Sequence, residues 1–262
     1  LEDARRLFLR HCPQPAPIPN HQSLITNHLD LLLEHVGRHT LVVEFLAKTA
    51  KAQGLTPEQM LTRLRERGLT HLDTSAKVPI AHNKNQRANM VGYISTLFDI
   101  NLNTLNDHER WLLANLSLLP PFAHAYSVLE EILFFEDDDS DRVTSSHPVN
   151  KPESPDHLYP LLNDLTAKGY LEPLRTRRPT HPKLEDPAPE ENGFYMHPVM
   201  AEVVREKEKP DLEICGEMVG YFIDKYFNEG GLKNPALTFA WLPYGEALAS
   251  RLSEHKKAAT LI

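Results

Sequence analysis

Nowhere in this chain is glycine followed directly by lysine, so the GxxxxGK[ST] cradle that holds nucleotide phosphates is absent. Without it, these residues are not expected to hydrolyse nucleotide unaided. GxSxG and HExxH are missing too, which removes the serine elbow and the paired-histidine zinc helix as routes to hydrolysis. Cysteine occurs only as Cys12 and Cys215, far apart and with no CxxC neighbour, a usage that suits a reducing cytoplasm better than a disulfide framework. No apolar run approaches the roughly 18 residues needed to span a bilayer, and Leu1-Glu2-Asp3 does not open an export signal. The expected location is cytoplasmic, with no membrane partner. An initiator methionine is also lacking, and the expectation is a piece of a longer polypeptide. Cations are the minority charge, 28 Lys and Arg against 36 Asp and Glu, for a net charge of -8 and a pI near 6.0. Such a balance disfavours nucleic acid, whose affinity comes largely from counterion release at phosphates.

What is present is ample core: 262 residues with 41% apolar content, enough for two or three small domains. Leu1 to Leu9 repeats apolar residues at helical spacing, and the prolines from Pro13 to Pro19 stop it. From Ser23 to about Gln53 the apolar periodicity describes two helices broken near Gly37. Thr56-Pro57-Glu58-Gln59 reads as a capping box with proline at the first helical position, opening a helix to about Arg67 that Gly68 ends. Further helices are expected over Asn89–Phe98, over Asp107–Leu119 with Asn106 or Asp107 as cap, and over Ala123–Phe135. Residues 136 to 156, EDDDSDRVTSSHPVNKPESPD, are too polar to order themselves and read as a surface insertion. Its acidic front, Glu136 to Asp141, is a solvated run or a docking site for a basic partner.

Ser154-Pro155 restarts a helix to Lys168, Gly169 stops it, and strand-like residues 170–174 follow. Residues 175–192 read as a proline-rich loop, GFYMH as a second strand, and Val199–Lys207 as a helix. Three helices, a strand, a loop and a strand make the order of a winged helix. The expected fold is mainly α: a helical domain over 1–100, a winged helix with a small β-hairpin over 101–208, and a helical connector over 209–262. Winged helices often carry DNA-binding helices, but SPDHLYPLLNDLTAK offers Asp156 and Asp164 against Lys168. Arg175, Arg177 and Arg178 form the one basic cluster nearby. His35 and His39 are four apart, the spacing of two ligands on one helix face, yet Gly37 breaks that helix and no third ligand is fixed, so no metal is expected.

The order of four motifs resembles the helical and winged-helix portion of NB-ARC type STAND ATPases. LEDARRLF is similar to the helix after that family's nucleotide-binding core, and VGRHTLVVEFLAKTA to its Gly-Leu-Pro-Leu helix. LFDINLNTLNDHERWLLANLSLLPP resembles the junction into the winged helix, FYMHPVMAEVVRE the Met-His-Asp motif, and WLPYGEALASRL the connector before a tetratricopeptide array. The resemblance implies that His197 reaches the β-phosphate of ADP held by an upstream P-loop domain in the same protein. It also implies nucleotide contact from Gly37, Thr40 and Leu41, downstream helical repeats, and self-assembly on activation. ADP or ATP would belong to the parent protein, with none held tightly by these residues alone. A hydrogen bond to a charged phosphate is worth about 1.5–3 kcal/mol, enough to bias two states roughly 10- to 100-fold. Pro198 stands where the motif carries aspartate, and Thr40 where the family carries an adenine-side proline. Residue by residue, a plainer account also exists: His197 as a structural ring satisfied by backbone, and Leu41 with Val42 and Phe45 as helix core. Other readings of the whole are a winged-helix DNA-binding regulator and a scaffold that does not touch nucleotide.

Overall fold

The computed structural model describes residues 1–13, 22–66, 83–134, 151–179, 188–227 and 238–253. Among them the chain is mainly helical, with eleven α-helices and one three-stranded antiparallel sheet. It divides into two compact units, residues 1–104 with 167–170, and residues 105–166 with 171–262.

The first unit holds α1 (Glu2–His11), α2 (Gln22–His35), α3 (Thr40–Gln53), α4 (Pro57–Glu66) and α5 (Asn83–Asn101). In α3 the run Val42, Val43, Phe45, Leu46, Ala47, Ala50 places apolar side chains three and four apart, and all are buried. Phe8, Leu32, Leu64, Ile94 and Leu97 complete a core from which water is excluded. Gly54 closes α3 in the left-handed region at φ 61°. The capping box of α4 forms in both directions: the Gln59 N–H donates to Thr56 Oγ1 at 3.2 Å and the Thr56 N–H to Gln59 Oε1 at 2.9 Å. Gly68, its expected stop, lies outside the described residues. Helix α5 is longer than the expected 89–98, and its last turn is tied to α3 by polar contacts. Asn101 Nδ2 donates to Thr49 Oγ1 at 2.7 Å, and Gln53 Nε2 donates to the Ile100 carbonyl at 2.7 Å. Tyr170 is buried in this unit, edge-on to Phe45 and Phe98. Gly169 beside it is left-handed at φ +91°, where a Cβ would meet Lys48 Cδ at 2.8 Å.

The second unit opens with α6 (Asp107–Ser117), whose Asn106–Glu109 capping box is complete. Then come β1 (His124–Ala125), α7 (Tyr126–Leu133), a 3₁₀ turn at Pro155–His157, α8 (Leu158–Lys168), β2 (Glu172–Arg177), β3 (Glu190–Tyr195) and α9 (Pro198–Glu208). Next, α10 (Leu212–Phe227) is followed by a 3₁₀ turn at Phe239–Trp241 and α11 (Leu242–Ser253). Residues 209–253 therefore share a compact unit with the sheet.

Three expectations are corrected. The helix over 123–135 begins only at Tyr126, because His124 and Ala125 pair with Phe194 and Gly193 of β3. The two expected strands are joined by β1 in a three-stranded sheet of order β1-β3-β2 rather than forming a hairpin alone. The loop over 175–192 gives up both its ends to strand, since Arg175, Thr176 and Arg177 pair with Asn192, Glu191 and Glu190. The acidic run at 136–141 lies outside the described residues. Helix α9 is fastened to α6 by a forked pair, Arg110 Nε and Nη2 to the Glu208 carboxylate at 2.9 to 3.2 Å.

Candidate functional site: the His197 turn

Strand β3 ends at Tyr195 and α9 begins at Pro198, so Met196 and His197 form the whole connection. Proline is favoured at the first helical position because its fixed φ is already helical and its missing N–H would have no partner there. The next donor, the Val199 N–H, is taken by His197 itself, whose Nδ1 accepts from it at 3.2 Å. His197 is thus the N-cap, with extended backbone at φ -60° and ψ 137°.

That bond fixes the tautomer. An Nδ1 that accepts carries no proton, so Nε2 carries it and is a donor. Nε2 donates to no acceptor among the described residues. The ring is half-buried, edge-on to Tyr195 at 6.4 Å, and burial lowers its pKa, which keeps it neutral at pH 7. What the turn presents is one neutral N–H donor on a ring whose other nitrogen is anchored to backbone. Met196 beside it is buried and Pro198 is exposed, so the ring lies at the margin of the packed interior. Behind it, Val199, Met200, Val203 and Val204 bury the inner face of α9.

A second histidine, which sequence reasoning passed over, sits on the strand paired with β3. His124 pairs with Phe194 and is 4% exposed. Its Nε2 lies 3.0 Å from the Pro120 carbonyl and its Nδ1 3.0 Å from the Tyr244 hydroxyl. A carbonyl only accepts, so Nε2 holds the proton and Nδ1 accepts from Tyr244. Burial, with Arg251 nearby, pushes the pKa of His124 down to about 4. Arg251 Nη1 donates to the Leu119 carbonyl and, at 3.2 Å, to that of Ser117, which Arg205 also reaches at 2.6 Å. These carbonyls end α6, where cations are favoured. A cavity of about 10 Å³ lies among His124, Arg251, Phe194, Met196, Pro198 and Ala201, the least volume that admits a single water. The signal available in sequence was in α11: Tyr244, Leu248 and Leu252, four apart, are all buried.

The remaining residues singled out in the sequence belong to the first unit. Gly37 and Arg38 form the α2–α3 turn with φ of 66° and 58°. Glycine adopts that conformation freely, whereas Arg38 carries some strain. Thr40, exposed, and Leu41, partly exposed, start α3 with His39 as an N-cap that makes no side-chain bond. Gly37, Thr40 and Leu41 are thus brought to one turn, while His197 lies in the second unit. His35 is buried edge-on against Tyr93, whose hydroxyl donates to the His35 carbonyl at 2.6 Å. No cluster of three or more metal-ligating side chains occurs among the described residues.

On α8 the exposed residues are Tyr159, Pro160, Asn163, Asp164 and Ala167, with no cation among them. Of the basic cluster, Arg177 pairs with Glu190 at 3.2 Å and Arg178 with Glu131 at 2.5 Å. No helix among the described residues is long and apolar enough to cross a membrane. Comparison with family models, with curated proteins and with solved structures finds no match to this chain.

Proposed function

We propose that the chain is the regulatory helical and winged-helix portion of a STAND-type signalling ATPase, with His197 as the latch on a nucleotide diphosphate carried by a P-loop domain of the same protein. The observation that carries this reading is the His197 ring: capped at Nδ1, protonated at Nε2, neutral, and at the edge of the packed interior. Anchoring one nitrogen to backbone fixes the direction of the other, so the donor is preorganised and loses little entropy on binding. The order helix, short strand, helix, helix, strand, strand over 107–195 supports the winged-helix assignment. Because Pro198 has no N–H and Val199 donates to the ring, the phosphate contact falls to Nε2 rather than to the first amides of α9. A neutral N–H to a charged oxygen contributes about 1.5 kcal/mol or more, roughly tenfold in a closed-to-open equilibrium.

Release would follow from exchange of ADP for ATP, two ligands with different affinity for the two states. Thr40 and Leu41 at the start of α3 are placed by the same reading near the adenine side. Duplex DNA as the ligand is poorly supported, since the exposed face of α8 offers acid rather than base. The test is ADP retention by the parent protein with its P-loop domain. Changing His197 to alanine should speed ADP release about tenfold; an unchanged off-rate rejects the latch.

A further inference from the structure

The residues on both sides of His197 face the same small cavity as His124 and Arg251. The cavity is too small for a ligand, so its importance is mechanical. A packed interior transmits a displacement at one wall to the wall opposite, because a void of about 10 Å³ leaves little volume in which to absorb it. One wall is Met196 and Pro198; another is Arg251 of α11. Strand β1 adds a second connection, since His124 pairs with Phe194 of β3 through the backbone and holds Tyr244 of α11 through its ring.

Around Tyr244 the aromatic rings are continuous. Phe222 of α10 stacks on Tyr244 at 5.8 Å, and Trp241 lies 5.5 Å from Tyr244 and 5.8 Å from Tyr221. Tyr221 donates to Glu131 of α7 at 2.7 Å, and Lys225 lies over the Trp241 ring at 4.9 Å. Helices α10 and α11 are therefore gathered into one packed group, and a hydrogen bond from that group to the sheet runs through the His124 ring. We infer that His124 and Tyr244 couple the His197 turn to α11, so that the C-terminal helices read out the position of that turn. Both are positioning residues, acting through β3 and α11. The inference rests on the latch reading for its purpose, but its test needs no nucleotide, so failure of the coupling and failure of the latch are told apart.

The experiment is hydrogen exchange on the 262-residue chain, comparing wild type with Tyr244→Phe, which keeps the ring and removes only the hydroxyl that donates to His124. Exchange should rise about five-fold in residues 242–253 and also in 193–199, the fold-change that loss of one buried hydrogen bond gives. Coupling is reciprocal, so His197→Ala should raise exchange in 242–253 as well as in α9. A rise confined to 242–253 in the first variant, or to α9 in the second, overturns the inference, as does no rise at all. If Tyr244→Phe does not fold, Arg251→Lys withdraws the guanidinium from the Ser117 and Leu119 carbonyls instead. Exchange should then rise in both 242–253 and 193–199, and a rise in one segment alone, or in neither, overturns the coupling.

Discussion

His124 and His197 differ in what their second nitrogen does. Both rings hold the proton on Nε2 and accept through Nδ1, and both flank β3, one on its neighbouring strand and one just past its end. In His124 each nitrogen has a protein partner and the ring is enclosed; this histidine is architecture. In His197 the same acceptor role is taken by a cap, and the donor points to no acceptor among the described residues. A histidine becomes a ligand candidate through an anchored nitrogen and an unspent one, and burial alone does not separate the two cases.

The comparison breaks most severely at Gly193. It lies on β3 next to Phe194, the partner of His124, and is paired with Ala125 on one side and Leu174 on the other. A Cβ there would stand 2.2 Å from Thr176 Cγ2 and 2.9 Å from the His124 carbonyl oxygen, which is backbone and cannot rotate away. Gly193→Val should destabilise the chain by about 3 kcal/mol or more, the upper part of the range for overpacking, and urea unfolding measures it. Both histidine environments should be lost together. Survival of either ring's shift in the variant would show that β3 does not organise them jointly.

Acidification should separate them. His124 has a folded-state pKa of about 4 against 6.5 in the unfolded chain, so between those values the unfolded state binds more protons. The stability this ring contributes is complete above pH 6.5 and is lost as pH falls to about 4, a loss of about 3 kcal/mol at 1.36 kcal/mol per pH unit. His11 and His197 are lowered by burial too and act in the same direction, so a ring-resolved NMR titration is needed beside the unfolding curves. If His124 titrates near 6.5, it is open to water and the contrast fails.

How much of this was legible before the structure depended on how local the cause is. The Thr56–Gln59 capping box was legible because it is closed by residues three apart. At α6 the sequence left Asn106 and Asp107 as alternative caps, and the structure selects Asn106, whose box is closed by Glu109. The placement of α9 after Pro198 was local in the same way. Strand β1 was missed because two residues carry no periodicity, and their partners are 68 to 70 positions away, His124 on Phe194 and Ala125 on Gly193. The arginines of β2 were read as loop because an exposed edge strand need not alternate; Pro173, Leu174 and Arg175 are all exposed. The resemblance picked out His197, but neither its tautomer nor the closed site of His124 could be read from spacing, since both depend on contacts made after folding.

The smallest effect is the most discriminating. Cap is the observed role of this ring and latch the proposed one, and alanine removes both: His197→Ala should cost about 1 kcal/mol of stability, the usual loss when an N-cap acceptor is deleted. Asparagine is among the preferred N-cap residues, and its side-chain oxygen can take the Val199 N–H in place of Nδ1. His197→Asn should therefore unfold within a few tenths of a kcal/mol of wild type, while its shorter side chain no longer reaches as far as Nε2. Equal stability with faster ADP release in the parent protein would assign the donor to the ligand and the acceptor to the fold. Equal stability with unchanged release would leave His197 as the cap of α9 alone, and the difference from His124 would then be one of exposure, without consequence for binding.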